Sequence, residues 1–224
     1  LIIIIFSPLA VLWILNRETT KENTHAMQYN LLIEKSIEDN INKTNELNLI
    51  YSKLRKNIEK SPLDLRSIQL LSKLEFYKGN TAFSDRIMNI ALSRSKRDPI
   101  TNAWLFSRSI EQEKFKEGAV HLDRLLRVAG IYRANLLPNA LYFLEKPESR
   151  KAIADLLREM PPWRYAFFHH LYKESYNLQS TFEFMNLLID GEGALLEEEL
   201  NPYLEKLLNY GSIKLAHDLW VRWL

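Results

Sequence analysis

The sequence predicts an all-α protein: an N-terminal membrane helix, a long helix, and then a right-handed array of helix pairs. Three observations carry that reading. Six glycines and eight prolines are few for 224 residues, and the abundant Leu, Lys and Glu favour helix over a turn-rich β fold. Apolar residues recur at steps of three and four through most of the chain. A small residue followed one turn later by a large apolar one repeats every 34 residues, as Ser84 and Met88, Gly118 and Leu122, and Ala152 and Leu156. The 46% apolar composition is enough for a core in one or two domains.

Residues 1–16 form the expected anchor. The run LIIIIFSPLAVLWIL carries no charge. A bilayer crossing takes roughly 17–25 apolar residues, so the run is slightly short. Because the chain opens inside it without a methionine, we expect a span whose first residues are trimmed. A cleaved signal peptide would end in small residues, whereas this run ends Leu15-Asn16-Arg17-Glu18. A buried helix is the remaining alternative. Trp13 suits the membrane–water interface, and Pro8 is tolerated in a membrane helix. The expected placement is the inner membrane, single-pass, with residues 1–15 in the lipid bilayer and the bulk periplasmic.

Residues 17–60 read as one long helix, since no glycine or proline falls between Thr20 and Lys60. Ile33, Ile37, Leu47, Tyr51, Leu54 and Ile58 fit a heptad seam, with Asn40 and Thr44 at its two polar positions. The seam has two readings: a stalk that forms a homodimer through residues 33–58, or a helix packed on its own domain.

Ser61-Pro62 is the next break. Residues 61–133 then divide into helix pairs. DLRSIQLLSKLEFYKGN closes at Gly79-Asn80, TAFSDRIMNIALSRSKRDP stops before Pro99, and ITNAWLFSRSIEQEK with FKEGAVHLDRLLRVAG ends at Gly130. Leu71 and Leu105 repeat in the first helices with the same period. Residues 134–224 continue the array, broken or not near Pro138 and Pro147, and end in YLEKLLNYGSIKLAHDLWVRWL. The final DLWVRWL has no polar tail, so a C-terminal continuation is expected.

On these residues the chain resembles the tetratricopeptide repeat family. Gly79, Ser84, Met88 and Ala91 carry the likeness in one unit, Gly118, Leu122 and Leu125 in the next, and Gly211, Ala216 and Trp220 near the end. Ile68, Leu71 and Ser72 stand where the family has its tryptophan–leucine–glycine pattern. The resemblance implies a superhelix used for protein contacts, without catalysis. The C-terminal stretch, from PPWR onward, is also similar to membrane-tethered repeat proteins of Gram-negative envelopes, some of them linked to exopolysaccharide export.

Chemistry-bearing motifs do not assemble. With no cysteine, disulfides, thiolate zinc sites and cysteine nucleophiles are excluded. There is no phosphate-cradling glycine loop and no G-x-S-x-G. His169 and His170 are neighbours and point about 100° apart on a helix. His170 and Glu174 share a face, but a zinc site needs a further ligand. We expect an aromatic packing face of Phe167, Phe168, Leu171 and Ser175 edged by two polar histidines. DGEGALLEEEL, at 190–200, lacks the alternating oxygen ligands of a calcium loop and reads as a loop before an acidic helix start. Net charge is +2 overall; residues 61–133 hold 13 bases and 8 acids, and residues 134–224 hold 9 and 13. That basic middle is too mild for nucleic acid.

The expected function is therefore a membrane-tethered scaffold with no enzymatic activity, no cofactor and no bound metal. Its partners would be other envelope or membrane proteins, in a polysaccharide export or assembly system. The alternative is the helical part of a larger envelope enzyme or sugar-binding protein. Trp104, Arg108 and Glu111 share one face of a helix and are the candidate partner-binding residues, with Trp104 in the core as the competing assignment.

Overall fold

The computed structural model describes residues 44–130, 133–173 and 177–224, with side chains from Leu47 onward. These residues form eleven helices and no strand. The expected membrane helix and the seam residues Ile33, Ile37 and Asn40 lie outside the described residues. Among the described residues no helix is long and apolar enough to cross a membrane. The chain divides into two compact units, one ending at Ser107 and one beginning at Arg108.

The first unit holds α1 (Thr44–Lys60), α2 (Leu65–Tyr77), α3 (Thr81–Arg94) and most of α4 (Pro99–Glu111). Each boundary follows from local chemistry. α1 stops before Ser61-Pro62. Asp64 caps α2, its carboxylate accepting from the Arg66 N–H at 3.2 Å and the Ser67 hydroxyl at 2.5 Å. α2 closes through Gly79, whose φ of +84° is disfavoured for any side chain. There the Asn80 N–H reaches the Glu75 carbonyl at 2.9 Å. Asp98 caps α4 by accepting from the Thr101 N–H at 2.7 Å, and its same oxygen accepts from Gln69 Nε2 of α2 at 2.6 Å.

α2 packs on both α1 and α3. The core gathers Ile68, Ile87, Met88, Ala91, Trp104 and Leu105, with Ile58 and Leu71 against it. A smaller cluster joins Ile50 and Leu54 of α1 to Leu70. Burial of each large apolar side chain contributes about 1.5–3 kcal/mol. Ser84 is fully buried, as the small-residue motif expects, and the Ser72 hydroxyl donates to its carbonyl at 2.8 Å, holding α2 and α3 close. Of the heptad seam, Leu54 and Ile58 pack within their own chain, and so does Ile50, which the seam did not include.

The second unit continues with α5 (Phe115–Val128), α6 (Arg133–Tyr142), α7 (Pro147–Arg158), α8 (Arg164–Lys173), α9 (Leu178–Ile189), α10 (Glu197–Asn209) and α11 (Ile213–Trp223). Its helices pair as two ladders. α5, α7, α9 and α11 stack in order on one side, and α6, α8 and α10 on the other. That alternation makes the unit helical-repeat-like. The close approach of helices is visible at Gly118, where a Cβ would lie 3.2 Å from the Ile110 Cδ1 and 3.6 Å from the Phe143 ring. Leu122, Ala152 and Leu156 are buried as the 34-residue motif expects. Pro138 lies inside α6 and Pro147 opens α7, and α5 packs directly on α7. The division of the chain falls within α4, while residue 133, where the sequence placed a boundary, starts α6.

Candidate functional site

The three predicted contact residues sit on α4 in different environments. Trp104 is 3% exposed and meets Phe76 edge-to-face at 5.0 Å between ring centres. It is core, and its indole N–H finds no acceptor among the described residues. Arg108 forms an ion pair with Glu111 one turn on. Its side chain is largely buried, and Glu111 is the most exposed of the three. A partner meeting this face would therefore find a carboxylate already engaged by its own arginine.

α8 carries the histidine pair. Phe167, Phe168 and Leu171 are buried, and the two phenylalanines face Phe184 of α9 at 5.7 and 6.3 Å. His169 is exposed beside Tyr165, and His170 is half-buried. Glu174 and Ser175 lie outside the described residues. Among the described residues, no group of three or more His, Asp or Glu side chains is placed to hold a metal ion.

The densest polar constellation is one the sequence reading missed. Arg164, at the start of α8, is buried with Glu199 of α10, and the two carboxylate oxygens accept from its Nε and Nη2 at 2.7 and 2.6 Å. The remaining guanidinium protons go to the carbonyls of Leu157 at 2.8 Å, Gly193 at 2.8 Å and Ala194 at 2.9 Å. Glu199 also accepts from the Leu196 N–H at 3.0 Å, capping α10. The Tyr172 hydroxyl donates to the Glu199 carbonyl. Burial, aided by the Glu199 charge, pushes the Tyr172 phenol well above its ordinary range. The loop of residues 190–196 is thus stapled down. Gly193, at φ +65°, lies so close to Arg158 that a Cβ would sit 1.9 Å from its carbonyl oxygen. Every donor of Arg164 is used, so this cluster braces the fold and leaves no group for a ligand. No sequence signal within one helix could have found it, because the partners are 35 residues apart.

Two further features complete the inventory. His121 of α5 is buried, and burial together with the charge of Arg124 holds its imidazole down at about 4. α11 is apolar on two sides. Ala216 and Leu219 face inward, while Ile213, Trp220 and Val221 are exposed, as are Leu208 and Tyr210 before it.

Comparison with known proteins gives no assignment: no family model matches the chain, and neither the curated proteins nor the solved structures contain a match.

Proposed function

We propose that the chain is a membrane-tethered, tetratricopeptide-like scaffold of the bacterial cell envelope, holding other envelope or membrane proteins, within an exopolysaccharide export or assembly system. The observation that carries the reading is the pair of ladders in the second unit. Each helix there spends one stripe on its neighbours and leaves the other free, the arrangement by which stacked repeats present extended binding faces. Residues 1–15 supply the tether by their composition. The apolar outer side of α11 favours a second reading, in which the array supports a catalytic or sugar-binding module seated on that side.

A photo-crosslinking residue placed in the full chain at Glu111, Val120 or Lys151, in a Gram-negative host, tests the scaffold. The expected result is a crosslink to one and the same membrane or periplasmic protein from neighbouring positions, in a chain that resists carbonate extraction. Absence of any protein adduct at all three positions, or release of the chain by carbonate, would overturn it.

A further inference from the structure

We propose that the outer face of α3 is a docking site for an acidic amphipathic helix of a partner protein; this rests on the scaffold reading and gives it a partner chemistry. α3 has two faces. Ser84, Ile87, Met88 and Ala91 turn inward to the core. Phe83, Arg86, Ile90 and Arg94 follow one another at steps of three, four and four on a flank roughly 105° round the helix from that inward face, all exposed. Phe83 and Ile90 are 42% and 49% exposed, so each is half sunk among its neighbours and offers a shallow apolar seat. They stand seven residues apart, the spacing at which a second helix lays its own apolar seam. Arg86 lies over the Phe83 ring at 5.5 Å, and Lys96 and Arg97 extend the positive charge past the helix end.

The charge on this face has no counterpart among the described residues of the unit. Arg86, Arg94, Lys96 and Arg97 make no ion pair among the described residues. Between Thr44 and Ser107 there are eleven Lys and Arg against six Asp and Glu. Three of those acids are spent on the fold itself: Asp64 and Asp98 cap helices, and Glu75 accepts from Asn80. In the second unit six of the eight arginines, at 108, 127, 150, 158, 164 and 222, are each held by a carboxylate. The dipole of α3 accounts for cations in its last turn, but Arg86 lies in the first half of the helix, where the dipole gives it no support. Arginine forks suit carboxylates. A helix with apolar residues seven apart and glutamates beside them satisfies both halves of the stripe. An anionic bilayer also takes apolar residues beside arginines, and the vesicle arm of the test separates it from a helical partner.

The test uses the full chain in a nonionic detergent and a fluorescein-labelled peptide of about three heptads, with leucine at the two seam positions and glutamate elsewhere. A matched peptide with lysine in place of glutamate, and phosphatidylglycerol vesicles, are the comparison probes. The acidic peptide binds, more weakly as salt rises, and the lysine peptide does not. Arg86→Glu with Arg94→Glu weakens binding about tenfold or more, and so does Phe83→Ala with Ile90→Ala. Lys53→Glu with Lys56→Glu on α1, the same change in net charge, leaves it within about twofold. Thermal melts of the variants confirm that they fold. Equal binding by wild type and both α3 variants, equal loss in the α1 control, or no binding of the acidic peptide overturns the inference while leaving the crosslinking test of the scaffold untouched. Loss of vesicle binding alone in the arginine variant makes the face a lipid contact and overturns it too.

Discussion

Replacing Glu199 by Gln tests whether the Arg164–Glu199 pair braces the second unit. Both side chains are nearly inaccessible, at 4% and 6%. The substitution removes the counter-charge and turns one of the two accepting oxygens into an amide donor facing the guanidinium, which is left buried with one amide oxygen and the carbonyls of Leu157, Gly193 and Ala194. Breaking one partner of a buried pair costs about 3–5 kcal/mol, a large part of the roughly 5–15 kcal/mol that separates folded from unfolded domains. With a urea slope of about 2 kcal/mol per molar, the midpoint falls by about 2 M. Far-UV circular dichroism of the full chain in urea reads it. Replacing both residues by apolar ones, Arg164→Met with Glu199→Leu, costs less than the sum of the two single changes, because no orphaned charge remains. A shift under about 0.5 M for Glu199→Gln, or strict additivity in the double variant, would show that the pair does not act as a unit.

The same assays check four further expectations. Gly193→Ala costs more than Gly79→Ala: both need the left-handed backbone, worth about 1–2 kcal/mol, but only Gly193 also presses on the Arg158 carbonyl. Gly118→Ala is tolerated by a small movement of the Ile110 methyl, while Gly118→Leu overfills the site and costs about 1–3 kcal/mol. Trp104→Ala costs about 3–5 kcal/mol as a core truncation, whereas Glu111→Ala stays within about 0.5 kcal/mol; equal effects would put Trp104 outside the core. His121 binds a proton more readily unfolded than folded, its imidazole held down at about 4 from 6.5. Stability is therefore full above the unfolded value and is lost as pH falls from about 6.5 toward 4, by roughly 2–3 kcal/mol. Thermal melts between pH 7.5 and 4.5 should flatten in His121→Leu over that window.

Helix boundaries were legible because they are set by residues with one local use. Gly79 accepts a left-handed turn, and Ser61-Pro62 breaks a helix. The small positions Ser84, Gly118, Ala152 and Ala216 were legible because close helix approach admits few alternatives, and all four are buried. Thr181 escaped the 34-residue count although it is buried at the same fourth position of α9 as Gly118 is of α5, because Ala152 lies at the sixth position of α7, which ends at Arg158, so Thr181 follows it by fewer than 34 residues. The Arg164–Glu199 pair was illegible for a different reason: each residue alone reads as a surface charge, and only the stacking of α8 on α10 brings them together. Trp104 had two assignments in the sequence, and its contact with Phe76, 28 residues earlier in the chain, decides for the core. The apolar outer side of α11 was half legible, since Trp220 was read as part of the repeat motif and is 47% exposed.

The ladders of the second unit have a kinetic consequence. Each helix meets its immediate successor or the one after, so most native contacts close short loops. Chains of that kind collapse quickly, since little loop entropy is lost before contacts form. Such a unit also need not come apart all at once. Under a pulling force it should yield one pair after another from an end, with several small steps on the force trace in place of a single rupture.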